Sequence, residues 1–314
     1  MDLTSRFASR FFPYERERLS QIAIKRQSLD LSDVSDLAVF DELRALTVID
    51  CAFSDSALSA IGSLTSLESL SVENCEIHVY SIDFLRELKR LRFLHLTQEN
   101  RAEGNFVESG GDWIAELNEL REISVSGIPL TDSDIKSLAS CVKLQRLRLS
   151  STRISGTGLR GLRECRDLVE LDMSGSPISD TGCRHIRGCL PLKSLDLTAS
   201  GISDDGLREL MALPCLERLS VSGTVISNRG IDLLVELQEL KRIDLSDTPL
   251  GDGAIAAIAQ CEGLTHLDLS GTAITDAGVE LVSLLPVLRE LNLGRTTVGD
   301  LGVSNLVRLK SLER

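Results

Sequence analysis

Aromatic side chains are scarce in this chain: eight Phe, two Tyr and one Trp make only 4% of 314 residues. Because 42% of the residues are apolar, any core must be built from aliphatic side chains. Cations are short as well. Lys and Arg number 34 against 47 Asp and Glu, a net charge of −13, which argues against a nucleic-acid partner because phosphate contacts need cations. No run of 18 apolar residues occurs, and no leader-like apolar stretch follows Met1. Neither a membrane span nor secretion is expected, and the cytoplasm is the expected compartment. There are four histidines, His78, His95, His185 and His266, and no C-x-x-C pair; no metal or cofactor is expected.

What is present is a repeat. Leucine recurs at Leu19, Leu43, Leu67, Leu91, Leu120, Leu144, Leu168, Leu192, Leu216, Leu240, Leu264, Leu288 and Leu312, always 24 residues apart except for 29 between Leu91 and Leu120. Twelve full units result, with the start of a thirteenth. The stretch Leu264–Leu285 (LTHLDLSGTAITDAGVELVSLL) shows the unit cleanly. Such a period marks a solenoid, in which each unit buries its apolar side only against its neighbours and the whole presents a surface instead of a pocket.

Counting the opening leucine as position 0, apolar residues fall at positions 0, 3 and 5, as in Leu216, Leu219 and Val221. That alternation predicts a short strand, and equivalent strands stack into a parallel sheet. Position 8 is small and polar (Thr152, Ser176, Thr224, Thr272), suited to backbone groups that leave the ladder. Positions 11 and 12, as in Ser203-Asp204 and Thr275-Asp276, read as helix N-caps. The helix would bury positions 15, 18 and 21, with a frequent Gly at position 14 for close packing against the next coil. The expected fold is α/β: a right-handed solenoid or horseshoe with strands concave and helices convex. Twelve strands at ~4.8 Å give an inner edge of roughly 50 Å.

Residues 1–18 carry Phe7, Phe11, Phe12 and Tyr14 and read as an N-terminal cap on the repeat domain 19–314. The thirteenth unit has only begun at Arg314, so the final helix is expected to be either uncapped or continued elsewhere. The five extra residues lie within 97–112, an acidic, Gly-containing insertion followed by Trp113. The cysteines mostly occupy interior repeat positions otherwise filled by Thr or Leu, which predicts reduced, buried thiols.

Catalytic signatures are missing. Gly156–Gly161 (GTGLRG) matches G-x-G-x-x-G, but Gly158 is the repeat glycine and no Rossmann crossover surrounds it. The outward strand positions 2, 4 and 6 are charged instead. Arg146 is expected beside Glu170 and Arg148 beside Asp172, either as a solvated ladder of weak ion pairs or as a strip that steers a protein partner. On the second reading the binding residues are Phe93, His95, Arg146, Arg148, Glu170, Asp172, Asp196, Arg218, Arg242, Asp244, His266 and Asp268, with Trp113 at the insertion.

Cys141-x-x-Leu144, Cys165-x-x-Leu168, Cys189-x-x-Leu192 and Cys261-x-x-Leu264, each continuing toward an I-T/S-D run, resemble the cysteine-containing subtype of leucine-rich repeat. Thr or Ser stands where that subtype has its second Cys. The S-G-T-x-I-T-D-x-G run at Ser270–Gly278 is similar to repeats of bacterial leucine-rich-repeat proteins. The resemblance covers Leu19–Leu312. It implies a non-enzymatic protein-binding scaffold, with two alternatives: the substrate-selecting arm of an SCF-type ubiquitin ligase, as in F-box proteins, or an acidic inhibitor of a basic enzyme. Only 18 residues precede the repeats, fewer than an F-box needs.

One prediction follows from the repeat itself. Leu219→Asp buries a charge between neighbouring units and should cost several kcal/mol, on the order of 3–5. Hydrogen exchange should rise in the adjoining repeats too; exchange confined to the unit around residue 219 would contradict neighbour-borne stability.

Overall fold

The computed structural model describes residues 20–75, 79–80, 82–98, 105–106 and 113–314. The aromatic cap assigned to 1–18, His78, and residues 99–104 and 107–112 of the insertion lie outside the described residues. The chain divides into two compact units, Met1–Thr152 and Arg153–Arg314.

The first unit carries six sheet strands, β1 (Gln21–Lys25), β2 (Ala45–Ile49), β3 (Ser69–Glu73), β4 (Phe93–Thr97), β5 (Glu122–Ser126) and β6 (Arg146–Ser150). They pair in parallel, each with the next, in a register of one whole repeat: Ile22 faces Leu46, and Leu46 faces Leu70. Phe93 faces Glu122, so the extra residues leave the register intact. Within the insertion, Asn105–Phe106 pairs in parallel with Val79–Tyr80. The burial alternation is the expected one, outward at positions 2, 4 and 6.

The second unit carries β7 (Glu170–Asp172), β8 (Ser194–Asp196), β9 (Arg218–Ser220), β10 (Arg242–Asp244), β11 (His266–Asp268) and β12 (Glu290–Asn292), again parallel and in repeat register. These strands have three residues, not five. The cause lies at position 4. Asp172, Asp196, Asp244, Asp268 and Asn292 each accept the backbone N–H two residues on, at 2.8–3.0 Å. That bond draws the N–H out of the ladder and ends the strand. β9 has Ser220 there and lies between two strands that end this way.

After the strand the chain turns through a left-handed residue at position 7. Arg26, Asp50, Asn74, Gly127, Ser151, Gly175, Ala199, Gly223, Asp247, Gly271 and Arg295 all have φ between 50° and 74°. Such a conformation costs an L-residue ~1–2 kcal/mol, and Gly fills it at only four of these positions. At Gly127 space also requires glycine, because a Cβ would strike the carbonyl oxygen of Gln98. Position 8 then closes the turn: the Thr224 and Thr296 hydroxyls donate to the carbonyls of Val221 and Leu293, both at 2.6 Å. Cys75 does the same through sulfur, Sγ donating to Glu73 O at 3.3 Å.

The helical side is mixed. Where the unit carries S/T-D/N-x-G, a short α-helix forms, as at Asp180–Ile186, Asp204–Leu210 and Asp276–Val282. Units without the motif are either helical all the same, as at Leu31–Leu37 and Asp55–Ala60, or form 3₁₀ turns, as at Asp83–Glu87 and Thr157–Glu164. The Gly156–Gly161 run is part of one such turn; a Cβ on Gly156 would collide with Gly182, so its glycines serve coil packing.

Positions 11, 12 and 14 prove to be one device joining consecutive coils. Asp204 accepts Ser227 N at 2.7 Å and Ser227 Oγ at 2.6 Å. Asp180 does the same for Ser203, and Asp252 for Thr275. The capped hydroxyl meanwhile accepts from its own helix, as Thr275 does from Ala277 N at 3.2 Å. The position-14 glycine leaves room for this carboxylate: a Cβ on Gly230 would sit 2.5 Å from Asp204 Oδ1. The glycine therefore packs against the preceding coil, not the next one as its spacing first suggests.

The aliphatic core is continuous within each unit, with Leu216, Leu219 and Val221 at 0–2% exposure. At position 15, Leu207, Ile231, Ile255 and Val279 are fully buried, whereas Val303 in the last repeat is 57% exposed. All eight cysteines are free, six of them buried; Cys215 is exposed and Cys261 intermediate. Burial pushes the thiols of Cys165, Cys183 and Cys189 up to about 12, so they are unreactive at neutral pH.

Gly230→Ala should therefore cost about 2–4 kcal/mol, since it displaces a carboxylate holding two charge-assisted bonds. In an Asp204→Ala background the same change should cost markedly less, measured by a urea-denaturation double-mutant cycle. Additive costs would show that the glycine serves another purpose.

Candidate functional site

The second unit contains a concave trough of about 650 Å³ on the strand face, lined by residues of β8 to β12 and by Arg314. Its walls are the outward positions of successive strands, brought together by the repeat register. Position 2 supplies Ser194, Arg218, Arg242, His266 and Glu290; position 4 supplies Asp196, Ser220, Asp244, Asp268 and Asn292. A basic row thus runs beside an acidic row, ~7 Å apart along the strand direction.

The basic row is poorly neutralised. Arg218 faces Arg242 in the register, and Arg242 faces His266. Arg218 Nε donates to Ser194 Oγ at 3.2 Å, and among the described residues Arg242 has no hydrogen-bond or ion-pair partner. His266 is held at both ends, Nδ1 by Thr265 Oγ1 at 2.8 Å and Nε2 by Glu290 at 3.5 Å. Like charges directly opposed across strands are destabilising, so the Arg218–Arg242 pair carries an electrostatic cost that no carboxylate contact offsets.

The acidic row is rigid. The Asx bonds fix one oxygen of each carboxylate, and Asp268 Oδ2 also accepts from Asn292 Nδ2 at 2.8 Å. The carboxyl of Asp196 is pushed upward, chiefly by burial and further by Asp172 and Asp244, against the lowering bonds from Thr198. Asn292 makes the same Asx bond without a charge, so the turn needs the side-chain oxygen and not the ionisation.

Other residues expected at the site fall elsewhere. Glu170 and Asp172 lie on β7, one strand before the trough, with Asp172 opposite Asp196. Phe93, 42% exposed, and the half-buried His95 lie on β4 in the first unit. Arg146 and Arg148 converge on Glu122 of the preceding strand, at 2.7 and 2.6 Å. Trp113 is a correction: it is 1% exposed and its Nε1 donates to Asp134 O at 2.8 Å, which makes it a core residue and not a docking one. Sequence reasoning overlooked Ser194, Ser220, Glu290, Asn292 and Arg314, although all but Arg314 occupy the positions it had marked as outward. It also overlooked a ladder at position 1, where Lys193 and Lys241 both bond Glu217 at 2.9 Å and hold its carboxyl down to about 2.

No group of three or more His, Cys, Asp or Glu able to hold a metal occurs among the described residues. No helix among them is long and apolar enough to cross a membrane.

The Glu122 cluster generates a pH prediction. Burial raises its carboxyl, but the bonds and charges of Arg146 and Arg148 outweigh that and leave it lowered. A carboxyl lowered in the folded state adds stability above its unfolded pKa, near ~4.3, and loses that contribution as pH falls through the folded value. Glu122→Gln should lower the thermal midpoint at pH 7, and the difference from the parent should shrink away as pH falls through the lowered folded value. The effect should be at the surface-pair scale of ~0–1 kcal/mol; an undiminished difference at low pH would rule out the charge as its source.

The family described as Leucine Rich repeat matches residues 140–162, 164–186, 188–211, 260–283 and 285–307. No curated protein matches the sequence. Among solved structures, an internalin (inlF) from Listeria monocytogenes is similar at a TM-score of 0.70 and 17% identity, over 98% of this chain and 87% of that one. A leucine-rich-repeat protein of Leptospira interrogans gives 0.58 and 17%, over 88% and 84%. A plant peptide hormone receptor, RGFR1, in complex with RGF2 gives 0.56 and 18%, over 94% of this chain and 53% of that one. Repeat register, alternating burial and these matches agree that the chain is a leucine-rich-repeat protein with an α/β solenoid fold.

Proposed function

We propose that this protein is a non-enzymatic scaffold that binds a protein partner on the strand face of its repeats, acting in the cytoplasm. The observation that carries the reading is the trough: two facing rows of opposite charge, with Arg218 and Arg242 left without carboxylate partners. Unpaired, exposed guanidiniums are ready to meet acidic groups, and such complementarity governs association rate and choice of partner. Arginine also gives up little hydration and forms bidentate carboxylate pairs. The free thiols suit a reducing compartment, and the solved receptor complex with RGF2 lends support by fold for a polypeptide ligand. Nucleic acid and membrane are disfavoured as partners by the −13 net charge.

A photo-crosslinking residue at Ser220, in the trough, is compared with one at Arg208 on the helical side, using native lysate. Ser220 should capture a discrete protein. The double change Arg218→Gln with Arg242→Gln should abolish that capture with the thermal midpoint unchanged or raised, since it removes a like-charge pair without breaking an ion pair. Capture from Arg208 alone, or capture indifferent to both arginines, would overturn the reading.

A further inference from the structure

We infer that the trough is shaped for an α-helix of the partner, laid across the strands and carrying an acidic stripe beside a basic one. The inference rests on the trough being the binding surface and concerns what fills it.

The argument is one of period. Across β9, β10 and β11 the trough sets Arg218 beside Ser220, Arg242 beside Asp244 and His266 beside Asp268, and strands recur every ~4.8 Å. A helix crossing them presents one turn every ~5.4 Å. Over the two gaps from Arg218 to His266 the mismatch grows to only about 1.2 Å, within the reach of flexible Glu and Arg side chains. An extended segment repeats the same side every ~6.8 Å and is out of step by roughly 4 Å over that distance. The second dimension agrees. The two rows lie ~7 Å apart, at positions 2 and 4 of each strand. On a helix with side-chain radius of about 5–6 Å, neighbouring residues point 100° apart, so their tips are separated by roughly 8 Å. The complementary pattern is therefore Glu at i, i+4 and i+7 with Lys at i+5 and i+8. The glutamates meet Arg218, Arg242 and His266, while the lysines meet Asp244 and Asp268; Ser220, beside Arg218, calls for no charge at i+1. The acidic row is prepared for this, because its Asx bonds to Thr198, Ser246 and Ser270 fix the carboxylates before anything binds. A phosphate dianion fits less well: the same acidic row would repel it.

The test uses three fluorescent peptides of identical length and charge with the full chain. One carries the Glu and Lys stripes on a helix. One is equally helical with the charges shuffled off the stripes. One is held extended by prolines. Anisotropy titrations at low salt should show saturable binding of the striped helix, about tenfold tighter than either other peptide. Arg218→Ala with Arg242→Ala should remove that preference. Asp244→Asn, which keeps the Asx oxygen for Ser246, should weaken binding of the striped peptide while leaving the thermal midpoint unchanged or raised. Equal binding of shuffled and striped peptides, preference for the extended one, or no binding by any would overturn the inference. If Ser220 still captures a partner in that case, the helix assignment fails and the surface reading stands; if it captures nothing, both fail.

Discussion

A strand in this protein has no hairpin partner. Its backbone donors and acceptors are met by the strands one repeat before and after, and an unmet buried amide costs about as much as a lost hydrogen bond. Everything in the unit follows from keeping those groups in register. Leucines at positions 0, 3 and 5 fix which side of the strand faces inward. The left-handed residue at position 7 steers the chain off the sheet, and the position-8 hydroxyl bonds the carbonyl that the turn strands. The five extra residues leave this register intact, since Phe93 still meets Glu122.

A second join, on the opposite side of each coil, repeats the logic with side chains. One aspartate accepts both the backbone and the hydroxyl of the next coil's cap residue, while a glycine in that coil makes room for it. These bonds set the angle at which one helix enters relative to the last. Thr157–Glu164, where the trio is absent, forms 3₁₀ turns. Strand register and cap register are thus two independent locks; the cap lock is complete at Ser203, Ser227 and Thr275, while Gly251 and Gly299 keep only its backbone half.

The leucine ladder, the outward positions and the buried thiols were all legible in the sequence, because each follows from periodicity alone. The role of Asp172, Asp196, Asp244 and Asp268 was not. A sequence shows that aspartate carries charge but not that its oxygen is spent on the amide two residues on. The left-handed position was half legible, since Gly127, Gly175, Gly223 and Gly271 mark alternate units, while Ser151, Ala199 and Arg295 adopt the same φ without any glycine to announce it. Trp113 misled because its neighbours are acidic and glycine-rich; only the fold shows its ring N–H meeting the carbonyl of Asp134. The pairing of Arg146 and Arg148 with the same Glu122 needed side-chain geometry, since carboxylates were available on both flanking strands.

The aspartate–glycine join has a direction, and that gives the array a grammar. A coil ending its turn with Asp at position 12 favours a following coil with Gly at position 14, because at Gly206, Gly230, Gly278 and Gly302 a Cβ would meet the preceding aspartate; Asp55, followed by Ser81, is the exception in the sequence. The reverse order carries no such restriction: a glycine-bearing coil can follow a neighbour without the aspartate, as Gly182 follows Gly156. Repeats copied, deleted or shuffled within such a gene are therefore not freely interchangeable. Junctions that satisfy this one-way preference are the favoured ones, and Asp134, buried at a glycine position, marks a coil poorly matched to follow most of its siblings.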